Sequence, residues 1–141
     1  MRPLPQVLAF VVLLSGCSGA EPVACPDSVK VEQKLSGVAP GWTAAVDDSP
    51  HHLAGITFFD GPPEDKVSLV YDKATEAGGK FIATWTFNPK SSEKVWVACR
   101  YAGTSVVLQR ALPEKTSACT ATYDNKQKVA GLPLLEKLVC R

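Results

Sequence analysis

The segment Glu93–Asp124, EKVWVACRYAGTSVVLQRALPEKTSACTATYD, constrains the fold more than any other part of the chain. Val95, Val97, Cys99 and Tyr101 alternate with Lys94, Ala98 and Arg100. A period of two is the mark of a strand with one buried face. Val106 and Leu108 carry the pattern on beyond Ala102-Gly103. Read as a two-residue hairpin loop, that dipeptide pairs Tyr101 with Thr104 and Cys99 with Val106. Gly at its second position suits the positive φ such turns need, while Ala at the first fits less well. Trp96 sits on the outer face, either covered by a neighbouring loop or sheet or left as a partner contact. A loop around Pro113 then leads to a third strand, which carries Cys119.

The remaining chain reads as more short strands. Val29, Val31 and Leu35 belong to a first strand, and Trp42–Val46 reads as a short one. Leu53–Asp60 is a strand with Ala54, Ile56 and Phe58 on one face, broken by Gly61-Pro62-Pro63. Val67, Leu69 and Tyr71 mark another, followed by a loop over Lys73–Gly79. Phe81, Ala83, Trp85 and Phe87 alternate with Lys80, Thr84 and Thr86. Asp124–Lys128 reads as a polar turn, with Val129–Leu132 and Leu135–Cys140 as closing strands. Short helical turns are expected near Glu64 and Glu76. The pattern predicts an all-β or mainly β domain, a small antiparallel β-sandwich or barrel with disulfides and short helical turns.

Residues 1–16 read as a signal peptide. Arg2 gives a minimal positive n-region, and Val7–Leu14 an apolar h-region too short to span a bilayer as a mature helix. It ends in Leu14-Ser15-Gly16-Cys17, which resembles the lipobox of bacterial lipoproteins. In that motif small residues enter the signal peptidase and the thiol accepts the lipid. The resemblance implies lipidation of Cys17, palmitate included, and anchoring in the membrane. It leaves a tether over residues 17–24 and one β-rich domain over 25–141. Cleavage after Ala20, at Ser18-Gly19-Ala20, is the alternative and gives a soluble periplasmic protein. Either route takes the chain out of the cytoplasm. By analogy with enterobacterial lipoproteins, Ser18 rather than Asp after the Cys implies the outer membrane, facing the periplasm.

Lys and Arg total 15 against 14 Asp and Glu, and loss of Arg2 with the leader equalises them. A neutral mature domain lacks the basic face that nucleic-acid binding needs. The chain has five cysteines. With Cys17 committed to lipid, Cys25, Cys99, Cys119 and Cys140 remain, and four cysteines admit three disulfide connectivities. The expected pairing is Cys25–Cys140, tying the ends of the domain together, with Cys99–Cys119. The latter requires the Cys119 strand to flank the Cys99 strand or to face it across a sandwich or barrel, because Cα atoms must lie within roughly 7 Å. No C-x-x-C pair occurs, which argues against a zinc site.

Asp47, Asp48, His51 and His52 form the one cluster whose chemistry suits a metal or a proton relay. Adjacent histidines on an extended segment point to opposite sides, so both cannot readily ligate one ion. The other reading is a polar surface loop. No G-x-S-x-G motif is present, and no thiol is left over as a nucleophile. No catalytic residue, metal site or cofactor is assigned.

At Asp48–Asp72, and again at Ala83–Phe87 (ATWTF), Ala98–Tyr101 (ACRY) and Val129–Pro133 (VAGLP), the chain resembles a family of small, uncharacterised exported bacterial proteins, periplasmic or lipoprotein, with four mature-domain cysteines. The resemblance implies an envelope location and brings no activity. A looser likeness in size, location and architecture is to periplasmic inhibitors of C-type lysozyme. The expectation is a non-catalytic, inhibitor-like envelope module that binds a protein or cell-wall partner. Trp96, Asp47, Asp48, His51 and His52 are its candidate contacts, and an acidic patch around Asp47, Asp60, Glu64, Asp65 and Asp72 suits a basic partner. The alternative is a small metal-binding protein or hydrolase using the Asp47–His52 loop.

Overall fold

Period-two alternation and glycine turns give this chain two stacked antiparallel sheets. The computed structural model describes residues 22–88 and 90–141. The leader and Cys17 lie outside them. The first sheet contains β1 (Ser28–Val29), β2 (His51–Asp60), β3 (Ser68–Leu69), β6 (Val95–Tyr101) and β7 (Val107–Ala111). The second runs β4 (Lys73–Ala77), β5 (Lys80–Thr86), β8 (Ala118–Val129) and β9 (Leu132–Cys140), in the order β4-β5-β8-β9. Neither sheet closes into a barrel, so the sandwich alternative holds.

The two inner faces meet on Phe58 of β2, which is fully buried. Its ring centroid lies 5.0 Å from that of Trp85 on β5 and 5.5 Å from that of Phe87. Ile56, Val97, Ala83, Cys119 and Ala121 complete the shared core. Burying one such aromatic stabilises the fold by about 1.5–3 kcal/mol. The Trp85 indole N–H donates to Leu69 O at 3.3 Å, so the tryptophan also holds β3 from across the sandwich.

β2 departs from simple alternation. It pairs Leu53 with Tyr101 but Gly55 with Arg100, which leaves Ala54 as an extra residue in a β-bulge. The bulge shifts the phase. Leu53, Ile56 and Phe58 are buried, whereas Ala54, expected on the core face, is only half-buried.

The central hairpin exists, but its register differs from the expected one. Cys99 pairs with Leu108 and Arg100 with Val107, so the connection spans residues 102–106. Thr104 Oγ1 accepts from the Val106 N–H at 3.1 Å, and the Ala102 carbonyl accepts from His51. These contacts hold a longer loop than the dipeptide suggested. The slip is two residues, so each side chain keeps its face.

The other short hairpins follow glycine. Gly78-Gly79, both at positive φ, turn β4 into β5 with Ala77 opposite Lys80. That makes a strand of the region expected as a loop, and of the expected helical turn near Glu76. The turn near Glu64 is present as a 3-10 turn over Pro63–Asp65. The first strand is reduced to β1, and the expected strand at Trp42–Val46 does not form. Leu35, Val38, Trp42 and Val46 are exposed there, with no partner strand to bury them.

Asp124–Lys128 does not reverse the chain. β8 runs through it to Ala130-Gly131, both at positive φ, which form the turn into β9. The polar residues form a bulge instead, between the pairs Asp124–Leu134 and Lys128–Pro133. Asp124 explains it. One carboxylate oxygen accepts the Lys126 N–H at 2.8 Å, a local turn within the strand. The other accepts from Lys80 Nζ at 3.1 Å and from Gln127. These bonds, the Lys126 N–H foremost, hold the Asp124 carboxyl down at about 2.

The disulfides correct the expected pairing. They join Cys25 to Cys99 and Cys119 to Cys140. Cys99 and Cys119 lie in opposite sheets, and stacked sheets sit roughly 10 Å apart, too far for a bond that needs Cα atoms within roughly 7 Å. Because β9 returns along β8, Cys140 lands directly opposite Cys119, with Cα atoms 4.1 Å apart. Cys25, which leads into β1, meets Cys99 at 5.8 Å.

Two outcomes follow. The Cys25–Cys99 bond has a sequence separation of 74 and Cys119–Cys140 one of 21. Loop entropy assigns them about 4.5 and about 3.4 kcal/mol. Cys25 and Cys140 are both half-buried, so chemical unfolding of Cys25→Ser against Cys140→Ser should show the larger loss for Cys25→Ser. Non-reducing peptide mapping should return the two pairs. For Asp124, a depressed folded-state pKa stabilises above the ordinary value of 3.8, and that contribution is lost as pH falls towards about 2. The difference in Tm between wild type and Asp124→Asn should therefore be full at about pH 5 and shrink as the pH falls to about 2.

Candidate partner-binding surfaces

The Asp47–His52 segment is divided by the fold. His51 opens β2, and its ring is committed on both sides. Nδ1 donates to Ala102 O at 2.7 Å, which leaves Nε2 to accept from Gln33 Nε2 at 3.0 Å. A carbonyl only accepts, so this tautomer is fixed by the contact. Asp47 turns back on itself, accepting the Ser49 N–H at 2.9 Å, and the Ser49 hydrogen bonds hold its carboxyl below the usual range. His52 is exposed on the next position of the strand. The four residues are close in sequence without converging on one point, and His51 has no free nitrogen to offer an ion.

The acidic patch is partly used by the fold as well. Asp72 Oδ2 accepts both the backbone N–H and the hydroxyl of Thr86, each at 2.6 Å, which lowers its pKa. Asp60, Glu64 and Asp65 remain exposed around the turn after β2. Trp96 lies half-buried on the outer face of the first sheet, in register between Phe59 and Ala111. Beside it a groove of about 360 Å³ runs over Thr57, Phe59, Ala98 and Arg100.

A second concavity was not visible in the sequence. β6 occupies one edge of β2 from Leu53 to Asp60. On the other edge β1 covers only residues 51–52 and β3 only 58–59. Between them residues 54–57 have no partner strand among the described residues. The start of β9 approaches without pairing, and a cleft of about 310 Å³ opens there. Its walls include Tyr71, Phe81, Trp85, Tyr123 and Leu132. Tyr71 packs edge-on against both Phe81 and Trp85.

Arg100 lines both the groove and the cleft. Its guanidinium lies across Gly55, where Nη2 is 3.0 Å from the place a Cβ would occupy. The absence of a side chain at Gly55 leaves the arginine room to lie close against the strand. Among the described residues Arg100 forms no ion pair and no side-chain hydrogen bond. Burial pushes the Tyr123 phenol up, and the nearby Arg100 charge offsets part of that. The sequence signal for this site was slight: an arginine on the outer face of a strand, facing a glycine that only the correct register places opposite it.

A family profile described as the type VI secretion system Tli immunity protein matches residues 48–141. The chain belongs to this immunity protein family. The match begins just before β2 and takes in both walls of the cleft. The chain is also similar to a protein of Azospirillum brasilense described as "Uncharacterized 16.3 kDa protein in trpG 5'region". The two are 28% identical over 130 residues, covering 88% of this chain and 86% of that one. No solved structure matches the chain. The expected membership of a small bacterial family is met, and the immunity family is one the motifs alone did not reach.

With both His51 nitrogens engaged, His51→Ala should cost about 1 kcal/mol of stability for each lost hydrogen bond, read by urea unfolding. Calorimetric titration of wild type and of the His51→Ala/His52→Ala double variant with zinc should give the same result, with no saturable heat.

Proposed function

We propose that this protein is a non-catalytic immunity protein of the bacterial envelope, which neutralises a type VI secretion effector by binding it. The observation that carries the reading is the family match over residues 48–141. Two disulfides support action outside the cytoplasm, since such bonds persist in oxidising compartments. Leu14-Ser15-Gly16-Cys17 supports a lipid on Cys17, which would hold the domain at the outer membrane, facing the periplasm, on a short tether. Cleavage after Ala20 would leave the same domain soluble in the periplasm. A binding role asks for no catalytic group, and it accommodates a His51 engaged in the fold. Trp96 and the groove beside it are one candidate contact surface; Asp47, Asp48 and His52 form another at the start of β2.

The test is protection. A susceptible bacterium exporting the effector to its periplasm should survive when this chain is co-expressed with its leader. Purified effector and mature domain should form a stoichiometric complex. Continued killing together with absence of a complex would sink the reading. In the same cells a palmitate analogue should label wild type and not Cys17→Ser. Label that persists in the variant would move the lipid elsewhere.

A further inference from the structure

The cleft between the open edge of β2 and the start of β9 has the three elements of a peptide-recognition site. The first is backbone. Among the described residues, 54–57 of β2 lack a strand on one side, and an edge of that kind can pair with an incoming extended segment. The second is an apolar recess. Tyr71, Phe81 and Tyr123 line it, and aromatic rings of this sort dominate interface energetics. Third comes charge. The Arg100 guanidinium stands at the mouth, exposed and in no ion pair among the described residues, with Glu64 lining the neighbouring groove. Guanidinium recognises carboxylate in a planar, two-point geometry.

The geometry points to this cleft as the effector-binding site, taking an extended segment of the effector that pairs with residues 54–57, seats one apolar side chain among the tyrosines and places a carboxylate on Arg100. This rests on the immunity reading above and specifies where and with what chemistry the partner is held. Charge complementarity selects the occupant: the unpaired cation calls for an anion, and the unpaired strand edge calls for a polypeptide. A second copy of this chain would need an acidic extended segment. β9 presents Leu132 and Pro133 at the cleft, and proline has no N–H to give, while the other edge of that sheet, β4, carries a single acid, Glu76, between Lys73 and Lys80.

Calorimetry of the mature domain against the effector it neutralises provides the test. Arg100 and Leu132 are exposed, so Arg100→Glu and Leu132→Glu should fold, which near-UV circular dichroism checks. Each should bind about thirty-fold or more weakly, the size of an interface hot spot. Arg100→Lys, which keeps a point charge and loses the two-point geometry, should fall between. Hydrogen exchange should show residues 54–57 newly protected in the complex. Wild-type affinity in the folded Arg100→Glu and Leu132→Glu variants would overturn the site while leaving the immunity reading intact. Failure of wild type itself to bind effector would overturn both. Sedimentation giving a wild-type dimer that Arg100→Glu dissolves would assign the cleft to a second copy and overturn the proposal.

Discussion

The contact of Phe58 with Trp85 and Phe87 is the one on which the rest of the structure depends. β2 supplies the phenylalanine and the β5 segment supplies the other two rings. Around that contact pack Ile56 and Val97 of the first sheet and the smaller Ala83 and Ala121 of the second. Three rings tilted against one another bury large apolar area and add about 0.5–1.5 kcal/mol per pair beyond it. They also set the phase of β2. Because Phe58 must face inward, the Ala54 bulge is what allows Leu53 to face inward too, five positions earlier, an odd step that strict alternation would send to the opposite face. The bulge is thus the means by which one strand serves both the main core and the smaller cluster of Leu53, Cys99 and Tyr101.

The disulfides act on that frame in different ways. Cys119–Cys140 links neighbours that the β8–β9 ladder already holds, so it locks a pairing. Cys25–Cys99 ties the incoming chain to the centre of the first sheet. There the Tyr101 hydroxyl donates to Pro26 O at 3.0 Å, and Leu53 N–H donates to Asp27 O at 2.8 Å. Three different interactions converge on residues 25–27. A two-residue strand such as β1 could not hold its place alone, and this clustering explains how it does.

Most of the fold was legible in the sequence because strand alternation is a local signal. Val95–Tyr101 and Lys80–Thr86 were read correctly, and so was the antiparallel class. What failed depended on side chains acting at a distance. Asp124 looked like turn chemistry and does make a local turn, but the neighbouring β9 and the Lys80 ammonium keep the strand running. Gly78-Gly79 looked like loop and proved to be the tight turn of a hairpin whose strand Lys73–Ala77 is too polar to announce itself. The cysteine pairing failed for a topological reason. Linking first to last is sensible for an unknown fold, yet the order β4-β5-β8-β9 puts Cys140 directly opposite Cys119 and leaves Cys25 to Cys99. At the candidate site the sequence offered Trp96 and the Asp47–His52 loop. It could not offer Arg100, whose meaning depends on Gly55 standing across the ladder.

The gap between β2 and β9 also bears on why this sandwich does not close. Closure would require β9 to pair with residues 54–57 of β2. The bulge at Ala54 twists that edge, and Pro133 contributes no N–H to it. Both features are known ways of keeping sheet edges from pairing indiscriminately, and a charge at the edge is a third. Protection against aggregation would account for the bulge, the proline and the arginine. It would not account for the recess of aromatic side chains behind them, since a guarded edge is better served by a flat polar surface. Exposed apolar concavity carries its own aggregation risk, and large apolar patches of that kind mark sites where something is held. The same three features that turn away the chain's own strand leave the edge open to a segment that brings its own donors, an apolar anchor and a negative charge.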